Sequence, residues 1–339
     1  MGAERRRTFE MRLVCSLLFA VVVMSARQSV AAYSLQVRQA LSEGAAFSVQ
    51  FRVTDDLGDP VCGATISGWM YREREKKHGE SYVCLTDTNG YVRVEGKCCE
   101  KFTVVVRKDG YYRSMFEMRY PNREIEPAVS EGRWQPYGEN RKIILKKIRA
   151  PEDLMTAEGR YYKIPRFGVW LGFDIEKSDW VQPAGKGLRE DMLVRFITRK
   201  NEKDGFWRTM EVSFTNNPYA GAYVLKRDEY SEMDTVYRAD TNADYRTVFT
   251  YEFNQSGRTI IRDELRKDEY MVFRTRAEVD SQGRLKNAHY GKMYGNWKFF
   301  EGDNMRLGPI SYNPSLNDPN LESSETAQRS RLYSGQSLE

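Results

Sequence analysis

Two histidines, His78 and His289, stand in a chain of 339 residues. A Ser-His-Asp triad would need one of them, and no Gly-x-Ser-x-Gly elbow is present to hold a nucleophile. Neither lies in a His-Glu-x-x-His run, and the cysteines form no Cys-x-x-Cys pair, so no zinc site is expected. His289, in Asn287-Ala-His-Tyr290, reads as a structural residue on a strand. Gly185-Lys-Gly187 lacks the Gly-x-x-x-x-Gly-Lys-Ser/Thr spacing that wraps amides round a phosphate. Carboxylates are abundant, but a glycosidase pair needs one raised pKa and a defined separation. Asp263-Glu264 and Asp268-Glu269 read instead as a solvated turn or helix. Asp55-Asp56 and Asp87-Thr-Asn-Gly90 are turns rather than calcium loops. The residues predict no catalytic group, no metal and no cofactor.

Aromatic side chains offer a gentler chemistry. The chain holds 21 Tyr, 16 Phe and 6 Trp, and flat rings on a β-sheet stack against sugar faces. Trp180, Trp207 and Trp297 are the candidate ligand-binding residues, with Tyr219 and Tyr223 beside Asn216-Asn217-Pro218. The competing reading is core packing, since aromatics are enriched in strands. Convergence of the three tryptophans on an open groove would separate the two. Four cysteines follow residue 32: Cys62, Cys84, Cys98 and Cys99. In an exported chain an even number suggests disulfides, with three connectivities. Cys62 and Cys84 are expected to face each other, whereas the adjacent Cys98-Cys99 could bond only with strain.

Positioning such residues falls to strands. Phe47, Val49, Phe51 and Val53 alternate with Ser48, Gln50 and Arg52, a strand with one buried face. Leu57-Gly-Asp-Pro60 reverses the chain before Gly63-Ala-Thr-Ile66. Asp87-Thr-Asn-Gly90 lies between two apolar runs and predicts a hairpin. Phe102 to Arg107 is a β-branched run closed by Asp109-Gly110. Tyr33 to Ala45 reads as a leader or an added edge strand. Later alternations, Met210-Val212-Phe214, Phe249-Tyr251-Phe253 and Met271 to Val279, predict a second set of strands, with a short helix at Tyr230–Ala239.

The order Gly58-Asp-Pro-Val-Cys-Gly-Ala64, Thr86-Asp-Thr-Asn-Gly90 and Gly110-Tyr111, closed by Arg141-Lys-Ile-Ile-Leu-Lys-Lys147, resembles the transthyretin-like domain. That domain occurs as the regulatory domain of carboxypeptidases and in bacterial envelope proteins. The resemblance covers about a third of the chain. It implies a seven-stranded, Ig-like sandwich with a structural or adhesive role and no catalytic residues to carry over. Together with Gly172 to Gly187 and Ile310 to Leu321, it resembles a class of exported bacterial envelope proteins.

Arg5-Arg-Arg7 and Arg12 precede the apolar run Leu13 to Met24, and Val30-Ala-Ala32 supplies small residues for cleavage, the layout of a signal peptide. The run is shorter than the roughly 20 residues that span a bilayer. Residues 1–32 carry five Arg and two Glu. Without them 48 basic and 46 acidic residues remain, and the net charge falls from +5 to +2. A nucleic-acid surface is therefore not expected.

The expected organisation is all-β. A signal peptide (1–32) precedes a transthyretin-like sandwich (33–148), a linker (149–154), a second β-sandwich or jelly-roll-like domain (155–312) and a disordered tail (313–339). The expected role is an exported, non-enzymatic structural or binding module of the envelope, its partner a glycan or another surface protein. A carbohydrate-active enzyme or accessory using the second domain is the alternative.

Overall fold

The computed structural model describes residues 34–72, 79–120, 129–201, 205–214, 218–256, 259–262, 265–299 and 302–334. The expected signal peptide, His78, Asn216-Asn217 and Asp263-Glu264 lie outside them. The protein is all-β, with two short helices among the described residues.

The stretch expected as an edge strand is a helix, α1 (Leu35–Glu43). The Ser34 side chain accepts from the Val37 amide at 3.3 Å and caps its start. Val37 and Ala40, three residues apart, are its buried positions, a helical spacing where a strand would need alternation. The first nine strands follow: β1 (Ala45–Asp55), β2 (Thr65–Tyr71), β3 (Gly79–Leu85), β4 (Tyr91–Cys98), β5 (Lys101–Arg107), β6 (Ser114–Arg119), β7 (Val129–Ser130), β8 (Arg133–Trp134) and β9 (Glu139–Leu145). One sheet has the order β3-β2-β5-β6; the other pairs β4 and β9 to either side of β1 and adds the short hairpin β7–β8. The alternation in β1 sends Phe47, Val49, Phe51 and Val53 between the sheets. There Phe47 stacks on Phe102 with ring centres 4.1 Å apart.

The Asn-Gly turn does not close a hairpin. β3 pairs with β2 and β4 with β1, so Asp87–Gly90 carries the chain from one sheet to the other. Thr86 directs the crossing: its hydroxyl accepts from the Ala64 amide and donates to the Val61 carbonyl. Gly90, at φ 77°, gives its carbonyl to the Val53 amide. A Cβ there would sit 2.3 Å from the Val53 oxygen, so only glycine fits.

The second half contains β10 (Met155–Ala157), β11 (Tyr161–Lys163), β12 (Trp170–Asp174), β13 (Asp179–Trp180), β14 (Met192–Asn201), β15 (Gly205–Phe214), β16 (Gly221–Lys226), β17 (Val248–Ser256), β18 (Thr259–Arg262), β19 (Glu269–Val279), β20 (Leu285–Tyr294), β21 (Asn304–Arg306) and β22 (Ile310–Tyr312). They form a six-stranded sheet, β13-β12-β14-β15-β17-β18, a five-stranded sheet, β10-β22-β20-β19-β16, and the pair β11-β21. Phe196, Met210, Val212 and Phe253 from the first meet Met271, Phe273 and Met293 from the second in one core.

The outer face of the five-stranded sheet is covered as well. Tyr270, Val272 and Tyr290 pack against Ala239, Tyr245 and Leu321. The expected helix at Tyr230–Ala239 is a run of bends and single bridges. Within the stretch expected as a disordered tail, residues 313–334 are described and are ordered. Leu321 and Glu322 are buried, and Ser324–Ser334 forms α2. Its polar composition suggested disorder, but Asn313, Asn320 and Glu322 spend their polar groups on buried hydrogen bonds.

This tail meets the first half of the chain. Glu322 accepts from the Tyr112 hydroxyl at 2.9 Å and from the amides of Arg149 and Ala150 at 2.8 Å each. Tyr112, Met233 and Ala327 form a small buried cluster across the junction. Arg113 pairs with Glu232 at 2.6 Å, and the Met115 amide bonds the Tyr230 carbonyl. No helix among the described residues is long and apolar enough to cross a membrane.

Candidate functional site

The five aromatic candidates do not converge. Trp180 is buried; its indole donates to the Lys163 carbonyl at 2.9 Å and meets Phe173 edge-on. Trp297 is buried too, donating to the Tyr294 carbonyl and packing against Tyr251. Both are core residues whose N–H groups find backbone partners. The Tyr219 hydroxyl donates to the Gly283 carbonyl, and the Tyr223 hydroxyl accepts from the Asp240 amide beside Tyr245. Trp207 alone of the three tryptophans reaches solvent, at 37% exposure.

A different partner shares the face of Trp207. Along β14, Val194 and Phe196 are buried, so Arg195, Ile197 and Arg199 point outward. Trp170 on β12 lies opposite Arg195, and Trp207 on β15 lies opposite Arg199. Trp170 is 40% exposed. The two tryptophans flank β14 from opposite sides, offset by four residues, which places them about 13 Å apart along the strands and about 10 Å across. Ile197 and Thr209, paired across β14 and β15, sit between them. The Arg195 guanidinium lies 4.6 Å from the Trp170 ring centre and donates to Glu211 at 2.6 Å. The Arg199 guanidinium is 5.8 Å from the Trp207 ring centre. The surface thus alternates flat apolar rings with fixed donors and acceptors. Trp170 was missed in the sequence because its partner Arg195 is twenty-five positions away; the alternation of β14 was the available signal.

The cysteines form no such site. No disulfide joins Cys62, Cys84, Cys98 or Cys99, which corrects the expected disulfides. Cys62 is exposed on the loop after β1, whereas Cys84 turns toward the sandwich core. Cys98 packs in the core at the end of β4, and the buried Cys99 thiol donates to the Arg72 carbonyl. Burial, with the Cys99 sulfur beside it, pushes the Cys98 thiol well up. His289 stacks on Tyr312 and contacts the Asn313 carbonyl, as a structural residue would.

The densest charge cluster belongs to Gly172–Gly187 and its surroundings. Arg276, at φ 51° beside a bulge in β19, donates to both oxygens of Asp191, at 2.9 and 3.1 Å. It also reaches Asp174 at 3.3 Å and pairs with Glu176. Burial alone would raise the Asp174 pKa. The amides of Leu188, Lys177 and Arg189, and then Arg276, more than offset this and hold it below 3.8. These carboxylates are spent on anchoring the 174–191 segment. Among the described residues no group of three or more His, Cys, Asp and Glu is placed to hold a metal ion.

No protein-family pattern and no curated protein matches the chain. Solved structures give distant similarity. The 3-chlorocatechol 1,2-dioxygenase of Rhodococcus opacus 1CP aligns at 12% identity and TM-score 0.26, over 32% of this chain and 62% of its own. The chlorocatechol 1,2-dioxygenase of Pseudomonas putida gives 12% and 0.25 over 31% and 62%. The catechol 1,2-dioxygenase of Acinetobacter sp. ADP1 gives 14% and 0.24 over 31% and 54%. The chain thus spans less than two thirds of each, and TM-scores of this size carry nothing about chemistry.

Proposed function

We propose that the protein is an exported binding module of the cell envelope that holds a glycan on the outer face of its six-stranded sheet, without catalysis. The observation that carries this reading is the pairing of Trp170 and Trp207 on one solvent-facing sheet surface, with Arg195, Thr209 and Glu211 between and beside them. Indole faces suit the C–H faces of sugar rings, while guanidinium, carboxylate and hydroxyl groups suit their hydroxyls. Their separation fits an extended chain better than a single sugar. The arginine-led apolar segment at 1–32 supports export. The turn pattern of residues 58–111 supports a transthyretin-like first domain in a structural role.

The test is binding of the chain from Tyr33 to a panel of envelope polysaccharides, by pull-down and calorimetry. Trp170→Ala and Trp207→Ala together should weaken binding at least tenfold while leaving the unfolding midpoint within a few degrees. Undiminished glycan binding by the double variant, or no binding of any glycan by the parent, sinks the proposal.

A further inference from the structure

Far from that sheet face, an open cavity of about 540 Å³ lies between α2 and the β10, β20 and β22 strands of the five-stranded sheet. Lys292 is the most deeply buried charge lining it, at 4% exposure. Its ammonium donates to the Thr235 hydroxyl at 2.8 Å and to the Leu321 carbonyl at 3.0 Å. Neither is an anion, and among the described residues no carboxylate lies within 4 Å of it. Asp234, the nearby acid, is taken up by Arg227 and the Tyr294 hydroxyl. Glu322 is taken up by Tyr112 and two amides. A buried ammonium without a counterion is costly, and proteins retain few of them.

The rest of the wall matches what Lys292 lacks. Arg306 also lines the cavity, spending one N–H on the Asn296 carbonyl and pairing with no carboxylate among the described residues. Ser311 and Ser323 add buried hydroxyls, and Glu158 and Glu325 add carboxylates nearer solvent. Glu232, which also lines the cavity, is taken up by Arg113 and Ser330, so Lys292 and Arg306 are left to meet an anionic group, with Glu158 and Glu325 as acceptors for the hydroxyls it carries.

We propose that this cavity binds a small phosphorylated sugar, with Lys292 and Arg306 meeting the phosphate and Glu158 and Glu325 accepting from its hydroxyls. Burial, the leading influence, brings the Lys292 amine down to about 8. A bound phosphate would supply the counterion that keeps it charged.

The experiment uses the chain from Tyr33, with glucose 6-phosphate, inorganic phosphate and glucose as probes at fixed ionic strength. Thermal unfolding and titration calorimetry are the readouts. Glucose 6-phosphate should bind and raise the unfolding midpoint, inorganic phosphate should bind more weakly, and glucose should do neither. Lys292→Met should weaken binding at least tenfold. Should that variant fail to fold, Arg306→Ala, at the half-buried wall, should weaken it at least threefold. A midpoint shift no larger than chloride gives overturns the proposal. Equal binding of inorganic phosphate overturns the sugar assignment, and affinity unchanged in Arg306→Ala overturns the site.

Discussion

At the scale of single residues, Arg276 ties β19 to the segment that runs from Asp174 to Asp191. Three carboxylates converge on one guanidinium, and two of them, Asp174 and Asp191, are buried. Removing the cation leaves buried negative charges facing each other, which typically costs about 3–5 kcal/mol. Arg276→Ala should therefore lower the stability by that amount, read from the urea midpoint at pH 7; a loss below about 1 kcal/mol would show the pair to be exchangeable with water. The same cluster sets an acid limit. The folded pKa of Asp174 lies below its ordinary 3.8, so its contribution is present above that value. It is lost as pH falls through the lower, folded pKa. None of this was visible in Gly172 to Gly187 alone, because the arginine is supplied from β19 about a hundred residues away.

At the scale of elements, the final segment is anchored largely through polar groups. Glu322 takes three donors on one carboxylate, from Tyr112, Arg149 and Ala150. Glu322→Ala should cost about 1–3 kcal/mol, chiefly from the buried Tyr112 hydroxyl left unmatched, and should speed proteolysis between 149 and 154. Glu322→Gln, which keeps one acceptor oxygen, should fall between the two. Proteolysis unchanged in Glu322→Ala would mean that the linker is held by other contacts. The strands were legible because period-two alternation survives wherever one face is buried, as in Phe47–Val53 and Phe249–Phe253. The tail was not, because its order comes from polar groups satisfied by distant partners, a cause that composition does not record. The Asn-Gly turn was found but its consequence was not. The local signal fixes a reversal, while the sheet to which each flanking strand belongs is decided by Thr86 bonding back to Val61 and Ala64.

At the scale of the molecule, two layered cores meet across polar contacts that run in both directions. Arg113 reaches Glu232 and Lys146 reaches the Met233 carbonyl. Tyr237 reaches back to the Lys147 carbonyl, and the Arg149 guanidinium stacks 4.2 Å from the Tyr237 ring centre. Such a seam couples the unfolding of its two sides. Calorimetry of the chain from Tyr33 should show one transition, with calorimetric and van't Hoff enthalpies in agreement. Two resolved peaks would show the halves to be independent.

Glu322 and α2 reach the first half from the far end of the second, so the halves adhere by surface rather than by the hinge between them. A chain nicked in that hinge would remain a two-piece complex through purification. Pieces produced separately would reassemble by complementation, each serving as the template against which the other closes.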